Sequence, residues 1–96
     1  MRMMMRVQIP TEASNEAIED GTLPEIIRKT LETIQPEAAY FTTMDGDRTI
    51  IAVFDLKAAS DIPRIAEPLF MGLKALVDFT PCINAEDLKA GLSTIK

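Results

Sequence analysis

Apolar and polar residues alternate at the start of the chain, then fall into helical spacing, and this change of period recurs along its length. Met3, Met5, Val7 and Ile9 alternate with Arg2, Met4, Arg6 and Gln8, which predicts a strand over residues 1–10 that Pro10 ends. Residues 11–21 are polar and acidic and stop at Gly21; they read as a loop or as a short helical turn after Ser14. From Thr22 the period becomes helical, with Leu23, Ile26, Ile27, Thr30, Leu31 and Ile34 on one stripe. Thr22 followed by Glu25 fits a capping box, Pro24 is tolerated in a first turn, and Pro36 closes the helix.

Residues 38–56 are β-rich, and the run Ile50-Ile51-Ala52-Val53-Phe54 suits a strand covered on both faces. Ala38 to Met44 and Arg48 to Leu56 read as the arms of a hairpin, with Asp45-Gly46-Asp47 as its turn. A second helix follows, capped by Ser60 or Asp61, with Ile62, Ile65, Ala66, Leu69, Phe70, Leu73 and Leu76 on its buried side. Pro68 inside it predicts either a bend or a restart. Residues 77–83 read as a last strand, and Pro81 places that strand at a sheet edge because proline cannot donate to a ladder. Asn84 caps a short helix from Ala85 to Ala90, before Gly91.

The order β-α-β-β-α-β with an added C-terminal helix is the ferredoxin-like motif, an α+β sandwich. It predicts one domain over residues 1–96, a four-stranded antiparallel sheet in the order 4-1-3-2, and two helices on one face. That face receives Met3, Met5, Val7, Ile9, Phe41, Ile50, Ala52, Phe54, Val77, Phe79 and Ile83. The other receives Met4, Arg6, Gln8, Tyr40, Thr42, Met44, Ile51, Val53, Asp55, Asp78, Thr80 and Cys82. Its apolar members would form a patch of several hundred Å², more than a solvated face usually shows. A second copy packed sheet to sheet would cover it. So would the C-terminal helix, folded across its own sheet or reaching over to the partner.

Composition narrows the chemistry. The 96 residues carry a net charge of −5 and a pI near 4.6, and the ten basic residues are scattered. No nucleic acid is therefore expected as a partner, since phosphate binding needs clustered cations. No histidine occurs, which excludes Ser-His-Asp and Cys-His catalysis, histidine-ligated haem and the usual zinc sites. Cys82 stands alone, so neither an internal disulfide nor a thiolate cage can form, and it has no activating base. Asp45-Gly46-Asp47 is too short for a calcium loop, and the methionines of residues 1–5 point to opposite faces of a strand. No metal and no cofactor is expected. No apolar run is long enough to span a bilayer, no secretion signal is evident, and a cytoplasmic location is the default.

The candidate chemistry sits on the mixed face. Arg6, on a central strand, is expected to have Asp55 and Asp78 from its two neighbours beside it, as cross-strand ion pairs or as a cluster that holds a polar ligand. Tyr40, the single tyrosine, either packs in an interface or turns its hydroxyl to a ligand. Glu67-Pro68 would expose a backbone carbonyl at a bend.

Ile62-Pro63, Ala66-Glu67-Pro68 with Phe70, then Ala75, Pro81 and Glu86-Asp87-Leu88 resemble a family of small uncharacterised bacterial proteins. Ala38-Ala39-Tyr40-Phe41 and Asp45-Gly46 are similar to it too. The resemblance covers nearly the whole chain and implies a single domain without an assigned activity. More remotely, the element order is similar to the dimeric α+β barrel superfamily of cofactor-free monooxygenases, isomerases, haem enzymes and ligand-binding domains. Three functions are consistent with these residues. They are a homodimer that binds a small organic molecule or serves as an interaction module, a cofactor-free isomerase or monooxygenase with Asp55 or Asp78 as base, and a purely structural dimer.

Overall fold

The alternation of Arg2–Ile9 produces a strand in the computed structural model, which describes residues 1–95. This strand, β1 (Arg2–Ile9), is followed by α1 (Thr11–Glu19) and α2 (Thr22–Ile34). The hairpin β2 (Ala38–Met44) and β3 (Asp47–Asp55) comes next. A 3₁₀ turn at Ala59–Asp61 then leads into α3 (Ile62–Leu73), β4 (Leu76–Pro81) and α4 (Ala85–Leu92). The fold is α+β: four strands form one open antiparallel sheet in the order β2-β3-β1-β4. Read from the other edge, this is the anticipated 4-1-3-2. Pro81 lies on β4, which pairs only with β1, so the missing donor falls at an edge.

Asp45 and Gly46 both have positive φ, 52° and 81°, and Met44 pairs with Asp47 across them. Two central residues of positive φ make a tight hairpin turn whose twist matches the strands. The register that follows sends Met5, Val7, Ile50, Ala52 and Phe54 to one face, where they are buried against Leu23 and Ile34 of α2 and Leu69 and Leu73 of α3. A single apolar cluster results, on the helix side only.

Leu76, expected on the buried side of the second helix, instead begins β4 and is 63% exposed, and four further expectations need correction. Residues 11–21 are not a loop, because α1 occupies most of them; the element order therefore exceeds a plain βαββαβ by this helix. Only Ser14 and Ala17 of α1 are buried, too thin a stripe to announce a helix by periodicity. The Thr22–Glu25 capping box is absent. Thr22 lies inside α2 behind Gly21, at φ 79°, and both its amide and its hydroxyl donate to Asp20 Oδ1, at 2.9 and 2.7 Å. Pro68 starts no new helix, since α3 runs through it with its ring exposed. Ile83 does not join the core. It falls beyond the end of β4 and is 63% exposed, because after Pro81 only the Cys82 amide still reaches β1, donating to the Arg2 carbonyl at 3.2 Å.

α4 stands apart from the rest. Asn84 and Asp87 form a reciprocal capping box at its start, yet none of its residues is buried. The Cα radius of gyration is 15.2 Å, against about 12.5 Å for a compact chain of this length. The longest dimension is 55 Å.

Candidate functional site

Strand parity carries every second residue of β1 to the face without helices, and the register then decides which of them meet. Arg6 lies opposite Ile51 on β3 and Asp78 on β4, and Ile51 lies opposite Tyr40 on β2. One rung across the sheet therefore reads Tyr40, Ile51, Arg6, Asp78. Arg6 Nη2 donates to Asp78 Oδ2 at 2.7 Å, and Nη1 approaches the Met44 sulfur at 3.8 Å. Both members of this ion pair are about half exposed, so solvent screens it and its contribution to stability is small. Its significance is chemical, as an ion pair set among the apolar side chains of Met4, Met44 and Ile51.

Around this pair is an open depression of about 340 Å³, lined by Met4, Arg6, Met44, Ile51, Asp78 and Thr80. That volume lies at the lower end of small-molecule sites, which run from about 300 to 1,000 Å³. Met4 is 37% exposed on its rim, and Tyr40, at 67% exposure, stands one strand beyond Ile51 without lining the depression. Ligand recognition here would combine a cation–carboxylate pair with thioether and aliphatic walls. No group of three or more His, Cys, Asp or Glu among the described residues is placed to hold a metal ion.

Asp55 does not belong to this group. It pairs with Arg2, four residues along β1 from Arg6, or roughly 13 Å along the strand. The Met1 ammonium donates to its Oδ1 at 2.8 Å, and Lys57 Nζ donates to its Oδ2 at 3.0 Å. The hydrogen bond from the terminal ammonium, with the bond and charge of Lys57, lowers the Asp55 carboxyl to about 2. A carboxylate so acidic is a weak base, and Asp55 is not brought beside Arg6.

Arg2 was missed as an organising residue. Its Nε donates to Glu37 Oε1 at 2.6 Å and its Nη1 to Asp87 Oδ2 at 3.0 Å. It thereby ties the loop before β2 and the start of α4 to one end of the open face. The signal was available in the alternation, which puts Arg2 on the same face as Arg6. Its partners lie 35 and 85 residues away in sequence, where no local pattern reaches.

Cys82 is half-buried and free, and Glu67 lies on the exposed side of α3; neither joins the depression. No helix among the described residues is long and apolar enough to cross a membrane. No protein-family model matches the chain, and no curated protein matches it.

Proposed function

We propose that the chain is a homodimeric, ferredoxin-like small-molecule-binding domain whose open sheet faces meet, as in the dimeric α+β barrels. The observation that carries this reading is the uncovered face itself: a 340 Å³ depression with apolar walls around the Arg6–Asp78 pair. A second copy fits it by charge, because each copy offers one cation and one anion and a two-fold axis sets them against their opposites. The sheet face covers roughly 450 Å², from four strands about 4.8 Å apart and seven residues of about 3.3 Å each. A standard interface buries about 800 Å² per partner. The apolar side chains of α4, Leu88 and Leu92, at 50% and 55% exposure, add to this area when each α4 reaches over to the partner's sheet.

The ligand expected between the sheets is a small organic molecule with a polar group for Arg6 and an apolar body for Met4, Met44 and Ile51. Native mass spectrometry of protein purified without refolding tests both parts of the proposal. The expected spectrum shows dimer with added mass that is lost on Arg6→Ala substitution. Dimer without added mass in every preparation would leave a purely structural dimer, and monomer alone would overturn the proposal.

A further inference from the structure

A second groove lies on the helix side of the sheet, where β2 extends past α2. It encloses about 370 Å³, with Ile9 and Ile50 beneath, Leu23 and Ile27 from α2 on one wall, and Phe41 from β2 on the other. Phe41 shares the core face of the sheet with Ile50 yet remains 60% exposed, because no helix reaches that far across. Arg48 also lines this groove.

Arg48 differs from every other arginine of the described residues. Arg2, Arg6, Arg28 and Arg64 each lie within 4.0 Å of a carboxylate, and Arg48 has none. Its Nη1 donates instead to Ser14 Oγ at 2.6 Å and Asn15 Oδ1 at 2.8 Å, both neutral acceptors. Asp47, the adjacent acid, accepts from Gln8 and Thr11 instead. One nitrogen thus fixes the guanidinium, while Nη2 and Nε keep their donors and the positive charge has no counterion.

We infer that this groove is a binding site for a medium-chain carboxylic acid, with the alkyl chain against Leu23, Ile27 and Phe41 and the carboxylate on Arg48. A planar guanidinium with two donors to spare matches a carboxylate in geometry and charge. Apolar walls with one charged group at the rim are the usual composition of such a pocket. The site is on the opposite face from the Arg6 depression and does not depend on it.

The test is an NMR titration of the full chain with octanoate, octanol and octylamine. Octanoate is expected to shift the signals of Leu23, Ile27, Phe41 and Ile50 to saturation and to bind at least about tenfold more tightly than octanol, the size of one charge-assisted contact. Octylamine is expected to bind no better than octanol. Arg48→Met should reduce octanoate to the level of octanol and leave octanol unchanged. Because Arg48 also holds α1, a second variant at an exposed wall, Phe41→Ser, is expected to weaken both ligands. Equal affinity for octanoate and octylamine, shifts confined to other residues, or octanoate binding that survives both substitutions would overturn the inference.

Discussion

Replacing Ser14 with alanine probes how α1 is held, and the structure sets the size of the effect. Ser14 is fully buried; its hydroxyl donates to the Thr11 carbonyl at 3.1 Å and accepts from Arg48 Nη1 at 2.6 Å. A hydrogen bond to a charged donor contributes about 1.5–3 kcal/mol. Arg48 is exposed and keeps Asn15 as an acceptor, which places the loss at the lower end, about 1.5 kcal/mol. Alanine is the better helix former and returns a few tenths of a kcal/mol. The net cost is therefore about 1 kcal/mol, or a fall of about 4–8 °C in Tm for a domain of this size. Urea unfolding followed by circular dichroism measures it, at one fixed protein concentration because self-association raises apparent stability. In a double-mutant cycle with Arg48→Met the helix-propensity gain cancels, so the coupling should approach the hydrogen-bond value of about 1.5 kcal/mol. If Ser14→Ala is neutral, or the coupling is below about 0.3 kcal/mol, Ala17 packing rather than the Ser14–Arg48 contact holds the helix.

Gly46→Ala places a side chain at φ 81° with open space around it, so backbone strain alone should cost about 1 kcal/mol, measurable as a lower urea midpoint. Acid should also unfold the chain in a defined window. Asp55 is lowered to about 2, and Asp20 is lowered by the hydrogen bonds it accepts from the Thr22 hydroxyl and amide. A depressed carboxylate stabilises the fold above its unfolded pKa, near 3.9, and loses that contribution as pH falls through the folded value. Tm should therefore be level from pH 5 to 7 and fall between about pH 4 and 2. Asp55→Asn should lower the plateau and flatten part of the fall; an unchanged acid transition in that variant would contradict the assignment.

Elements with a dense apolar period were legible in the residues. Leu23 to Ile34, the β1 alternation and the Asp45-Gly46 turn each combine a periodic pattern with its own stop signal, and local physics decided all three. Pro81 placed its strand at an edge for the same reason, a missing donor. The helix at residues 11–19 was not legible, because polar long-range contacts supply its anchorage: Asp47 accepts from the Thr11 amide at 3.2 Å, and Arg48 reaches Ser14. A clue existed in Arg48 itself. Strand parity puts this charge on the core face beside Ile50, where it needs acceptors. Of the candidate site, strand order and parity made both Asp55 and Asp78 neighbours of Arg6, and only the register separates them, pairing Asp78 with Arg6 and Asp55 with Arg2. Alternation says which face a residue takes but not how far along the neighbouring strand its partner lies.

The central claim is that two copies meet through the face of Arg6, and sedimentation equilibrium of the unmodified chain beside Ile51→Glu tests it most directly. Ile51 sits mid-sheet on that face, half-buried in one copy, so a glutamate there costs the monomer about 1 kcal/mol and leaves it folded. In the dimer each isoleucine loses only the half of its burial that the partner supplies, about 1 kcal/mol, twice over by symmetry, which weakens association by about 30-fold before the cost of enclosing two carboxylates is added. The account predicts a mass of about twice 10.6 kDa for the unmodified chain, and a folded monomer for Ile51→Glu. A monomeric unmodified chain at high micromolar concentration, or a dimer that persists in Ile51→Glu, would contradict it.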